Sequence, residues 1–107
     1  EIDVLFACSA DKNIVEFPNL FFNQDYIKNI TLTNPGNIKK GDFPLLKDSF
    51  KNAQKINKNI TCIYEENYQK AIDFSLKNAL KNNRTLLVIG SFYLASELKK
   101  IIINSSM

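Results

Sequence analysis

Between residues 60 and 91 the chain reads Ile60-Thr61-Cys62-Ile63-Tyr64, then a polar break at Glu65-Glu66-Asn67. A striped segment with Tyr68, Ala71, Ile72, Ser75, Leu76 and Ala79 follows, and then Leu86-Leu87-Val88-Ile89-Gly90-Ser91. The two flanking runs are short, apolar and rich in β-branched residues, the signature of strands. The middle segment repeats its apolar side chains at i, i+3 and i+4, with Lys70, Lys77 and Lys81 on the other side, which predicts a helix with one buried face. A strand, a helix-length crossover and a second strand predict a parallel pair, since antiparallel neighbours need only a tight turn between them.

The same alternation continues on the N-terminal side. Ile2-Asp3-Val4-Leu5-Phe6-Ala7-Cys8 is apolar without clean alternation, as in a strand covered on both faces. Residues Asn13 to Phe22 hold room for a turn or two of helix, and Pro18 predicts that it starts late or is broken. Ile30-Thr31-Leu32-Thr33 reads as a second strand and Asn34-Pro35-Gly36-Asn37 as the loop after it. Asp42 can cap a helix with Pro44 in its first turn; Phe43, Leu46, Phe50 and Ala53 share one side, and Lys47, Lys51 and Lys55 are expected toward water. A last helix is predicted from about Phe92 to Ile102, burying Leu94, Ala95, Leu98 and Ile101 or Ile102. The alternating order predicts an α/β fold: a Rossmann-like three-layer sandwich with a mostly parallel sheet, spanning residues 1–107 as a single domain.

Composition narrows the function classes. The chain carries 14 basic and 11 acidic residues, a formal charge of +3, yet its lysines come with an excess of asparagine and isoleucine and lie scattered among acids. Lys39-Lys40 and Lys99-Lys100 are the closest basic pairs. A phosphate-tracking surface needs a continuous basic stripe, so no nucleic-acid partner is expected. Cys8 and Cys62 stand far apart inside apolar runs and there is no histidine, which argues against structural zinc and any histidine-based triad. No apolar stretch is long enough to span a bilayer and no signal-peptide pattern is seen, so the expected setting is cytoplasmic, away from the membrane. Sequons at Asn29, Asn59, Asn83 and Asn104 are what chance produces in an asparagine-rich chain.

Parallel sheets meet their ligands at the carboxyl ends of the strands. Here that rule selects residues 9–12, 33–40, 65–67 and 90–91. Ser9-Ala10-Asp11-Lys12 brings a hydroxyl, a carboxylate and an ammonium to one strand end, and Lys12 can hold a substrate carboxylate as a movable point charge. The same lysine also reads as a solvated surface charge. Gly90-Ser91 pairs a residue that tolerates close backbone approach with a hydroxyl that caps a helix or touches a ligand. The glycines Gly36, Gly41 and Gly90 form neither a dinucleotide fingerprint nor a Walker loop, so the chain alone is not expected to cradle ATP or NAD. No catalytic constellation and no metal set emerges: Asp11, Glu16, Glu65, Glu66 and Glu97 lie in different segments, and Glu97 suits a helix-surface pair with Lys100.

Gly90-Ser91-Phe92-Tyr93-Leu94-Ala95-Ser96-Glu97-Leu98 after an apolar strand resembles the closing motif of the folylpolyglutamate synthase and dihydrofolate synthase family, where a strand runs into Gly-Ser-Leu-Tyr-Leu-x-Gly-Glu. Asp11-Lys12 after the first strand looks like that family's Asp-Lys-Asp segment, and Thr33 ends the next strand as its counterpart does. The chain differs at Asn13, Phe92 and Ser96, and Lys39 and Lys40 are the basic residues nearest to an arginine the family carries after its threonine. The wider relatives are the Mur ligases.

The resemblance implies the C-terminal domain of a longer ATP-dependent amide ligase. Such enzymes activate a folate or pteroate carboxylate as an acyl phosphate; the amine of L-glutamate then forms the C–N bond as phosphate leaves. ATP and Mg2+ would be bound mainly by an upstream central domain of the same polypeptide, with none expected on this chain alone. Lys12 would meet the glutamate carboxylate, Ser91 would line the same pocket, and Ser9, Asp11 and Thr33 would be loop contacts. The family domain opens with a further strand and an Asp-Gly-Ala-His-Asn-Pro loop, so a partial domain, truncated at its N-terminal side and inactive alone, is expected, with low stability or self-association. The rival expectations are a Mur-type peptidoglycan-precursor ligase domain and a non-catalytic, receiver-like α/β regulatory module.

Overall fold

The computed structural model describes residues 1–7, 17–34, 43–90 and 99–100. Strand β1 (Ile2–Phe6) is followed by α1 (Phe17–Phe22), β2 (Ile27–Leu32), α2 (Phe43–Gln54), β3 (Thr61–Tyr64), α3 (Tyr68–Lys81) and β4 (Thr85–Ile89). The four strands form one sheet in the order β3-β2-β1-β4, with every pairing parallel. This is the α/β sandwich that the alternation predicts. Lys99 and Lys100 are helical, and the rest of the predicted last helix lies outside the described residues.

The strand order follows from crossover handedness. The chain steps from β1 to β2 to β3 in one direction, then α3 carries it back past β2 and β1 to pair β4 with the far side of β1. Right-handed crossovers running in opposite directions put their helices on opposite faces. The packing matches. Val4 and Phe6 point into a core built with Phe21 and Phe22 of α1, Phe43, Leu46, Phe50 and Ala53 of α2, and Ile30 and Leu32 of β2. Leu5 and Ala7 point the other way, onto Tyr68, Ala71 and Ile72 of α3. Strand β1 is therefore buried on both faces, which is why its sequence does not alternate.

Phe50 is the hub of the larger core. Its ring lies 5.6 Å from that of Phe6, 5.9 Å from Phe21 and 6.1 Å from Phe22, and Phe6 meets Phe21 edge-on at 5.2 Å. Pro18 sits inside α1 near its start, where its missing N–H removes no intrahelical bond. Strand β2 begins at Ile27, earlier than the expected Ile30, because Lys28 and Asn29 hide its pattern while Ile27 pairs with Ile2 and Asn29 with Asp3.

Asp3 is the one acid in the centre of the sheet. It is 3% exposed and accepts from Asn29 Nδ2 at 3.0 Å, Asn78 Nδ2 at 3.4 Å and Arg84 Nη1 at 3.5 Å. These donors come from β2, α3 and the entry to β4, so a single carboxylate ties three elements to β1 at the amino end of the sheet. Helix α3 is closed at both ends. The Asn67 side chain accepts from Lys70 N, and Asn83 adopts φ +53° while its N–H and that of Arg84 return to Leu80 O and Ala79 O. That is a Schellman stop with asparagine in the left-handed position usually taken by glycine.

Candidate functional site

The chain order reverses between β1 and β4, and a parallel sheet forms its ligand crevice at such a point, outside the carboxyl ends of the strands. At that rim the two strands adjoin closely. Ala7 N donates to Ile89 O at 3.3 Å, and Phe6 pairs with Ile89 in the ladder. Gly90 follows with φ +93°, and a Cβ built on it would stand 2.0 Å from Ala7 O. Only glycine allows both that dihedral and that approach. The expectation that Gly90 marks a close backbone contact is thus met, and the neighbour is the end of β1.

Lys12, Ser9 and Asp11, which follow β1, and Ser91, which follows β4, lie outside the described residues. What the structure brings together is the pair of strand ends that lead into them.

Thr33 is described. It follows Leu32, the last residue of β2 and one residue short of the strand end read from the sequence, on the same rim, with its N–H bonded to Phe6 O at 3.0 Å. Its side chain is 1% exposed, and its hydroxyl donates to Glu66 O at 3.4 Å. Asn34 Nδ2 donates to the same carbonyl at 3.1 Å. Glu65 N reaches Leu32 O at 2.9 Å, and the Glu65 carboxylate accepts from Asn67 N at 3.1 Å. The polar residues after β2 and β3 therefore hold the β3–α3 turn against the end of β2. Sequence reading missed this staple, although Asn67 one residue before the first stripe position of α3 is an N-cap signal.

A second polar group sits at the carboxyl end of β3. Tyr64 donates to Gln54 Oε1 at 3.4 Å, and Gln54 Nε2 donates to Ile60 O at 3.4 Å. Lys47 Nζ and Lys51 Nζ stand 5.6 and 5.7 Å from the centroid of the Tyr64 ring. Two lysines assigned to water by their helical spacing thus flank an aromatic ring. Cys62 packs two residues before Tyr64; burial pushes its thiol up to about 11, against a smaller opposing effect of its hydrogen bond with Tyr64. Burial foremost, with Cys62 beside it, also raises the Tyr64 phenol. At neutral pH the Cys62 thiol stays protonated, so it is a packing group and a poor nucleophile.

Among the described residues no three His, Cys, Asp or Glu side chains gather in a way that could hold a metal ion. No helix among them is long and apolar enough to cross a membrane. Compared with protein-family models and with curated proteins, the chain gives no match.

Proposed function

We propose that this chain is the glutamate-presenting C-terminal part of an ATP-dependent amide ligase that adds L-glutamate to a dihydropteroate or folate carboxylate. The observation that carries the proposal is the contact at Gly90, where the ends of β1 and β4 adjoin at the point of strand-order reversal. Asp11-Lys12 and Ser91, the residues that resemble the family's motifs, follow those two ends in the sequence.

The chemistry asked of this chain is modest. Lys12 supplies a positive charge for the α- or side-chain carboxylate of glutamate, and Ser91 supplies a hydroxyl partner. Together they hold the amine in line with an activated carboxyl while the domain walls exclude water, and such positioning contributes several kcal/mol to a bond-forming step. The sequence has no Walker loop, and on this reading ATP and Mg2+ are held elsewhere in the enzyme. Their binding belongs to the upstream domain of the proposed enzyme, and Lys12 and Ser91 serve the amino acid alone.

The test is to express the chain with the polypeptide proposed to precede it and to measure ADP release with a panel of carboxyl acceptors and amino acids. The expected result is ADP release that depends on both L-glutamate and a pteroate or folate acceptor. Release that requires a peptidoglycan precursor would move the chain to the Mur-type ligases, and no release with any pair would overturn the ligase assignment.

A further inference from the structure

We propose that Lys47, Lys51 and Tyr64 form a binding site for a phosphate-type dianion, separate from the crevice between β1 and β4. The two lysines are one helical turn apart on α2, and both ammonium groups are drawn to one ring at the carboxyl end of β3. Like charges at i, i+4 repel, and a tyrosine face offsets only part of that repulsion. Neither ammonium takes part in an ion pair among the described residues, whose bridges are Lys28–Glu1, Lys77–Asp73 and Arg84–Asp3. Glu65, the acid next to Tyr64 in the chain, turns its carboxylate to Asn67 N.

The ring is fixed in advance. The Tyr64 hydroxyl is held by Gln54, and Gln54 is held in turn by the Ile60 carbonyl. Two positive charges with six N–H donors beside a fixed apolar platform match a doubly charged, multi-oxygen anion better than a single carboxylate. The site stands apart from the proposed glutamate crevice, because β3 is two strands from β1, about 10 Å at normal strand spacing. It does not depend on the ligase assignment and can fail or hold without it.

The experiment is an NMR titration of the full chain with inorganic phosphate at about pH 7.5, where phosphate is largely doubly charged, against sodium chloride at matched ionic strength. The expected result is a saturable shift of the Tyr64 ring and of the Lys47 and Lys51 amides that chloride does not reproduce. Lys47→Gln with Lys51→Gln should weaken binding by about tenfold or more. Neither lysine belongs to the buried core, so that double variant keeps the core intact, and the α3 variant Lys77→Gln with Lys81→Gln should bind as the parent does. A second arm uses glycerol 3-phosphate: tighter binding than inorganic phosphate identifies the ligand as a phosphomonoester, and equal binding identifies free phosphate. Shifts that never saturate, shifts shared equally by the α3 lysines, or unchanged affinity in the Lys47/Lys51 variant would overturn the proposal.

Discussion

Gly90→Ala is expected to destabilise the fold by about 3–5 kcal/mol, enough to unfold a marginal domain. Two costs add. A non-glycine residue at φ +93° pays for the dihedral itself, of the order of 1–3 kcal/mol. The new methyl carbon would also stand 2.0 Å from Ala7 O and 3.0 Å from a ring carbon of Phe6. Neither neighbour can yield cheaply: Ala7 belongs to the central strand's ladder, and Phe6 is fully buried among the rings of α1 and α2. Relief requires β1 and β4 to part at the rim. Urea unfolding followed by circular dichroism measures the effect, and a loss under about 1 kcal/mol would show that the two strand ends are not in contact.

Phe50→Ala is expected to cost about 3–5 kcal/mol. Its ring is fully buried and touches three other aromatic rings drawn from β1 and α1. Truncation removes the transfer free energy of the ring, leaves a cavity, and deletes aromatic pairs worth about 0.5–1.5 kcal/mol each beyond burial. Phe50→Leu keeps most of the volume and should cost roughly half as much. If the two variants unfold at the same denaturant concentration as the parent, α2 does not pack on the sheet through this side chain.

Much of the fold is legible in the sequence because burial imposes a period. Phe43, Leu46, Phe50 and Ala53 recur at helical spacing and all are buried, as are Tyr68, Ala71, Ile72, Ser75 and Ala79 on α3. The parallel sheet follows from crossover lengths alone. What escapes is whatever a polar side chain does inside the protein. Asp3 looks like an interruption in an apolar run, and only the partners brought to it by β2, α3 and β4 show it to be a junction. Thr33 looks like a rim hydroxyl, and in the fold it is bonded to a backbone carbonyl distant in sequence. Ser75 is buried with no hydrogen-bond partner for its hydroxyl, and its place in the stripe reflects small size on the α3 face rather than polarity.

The candidate site divides in the same way. Gly90 announces a special backbone position, and the structure supplies its reason in Ala7. Lys47 and Lys51 are legible only as exposed helix positions, because nothing in their spacing reveals that Tyr64 ends a strand beside them.

The proposed glutamate crevice requires that Lys12 and Ser91 act on one ligand. The most direct measurement is a double-mutant cycle on the glutamate KM of the proposed ligase, using Lys12→Ala, Ser91→Ala and both together. Two groups that share one bound glutamate give a raised KM in each single variant and a coupling of about 0.5–3 kcal/mol in the pair. Strictly additive changes, or a KM that neither substitution moves, would contradict a crevice built from the ends of β1 and β4.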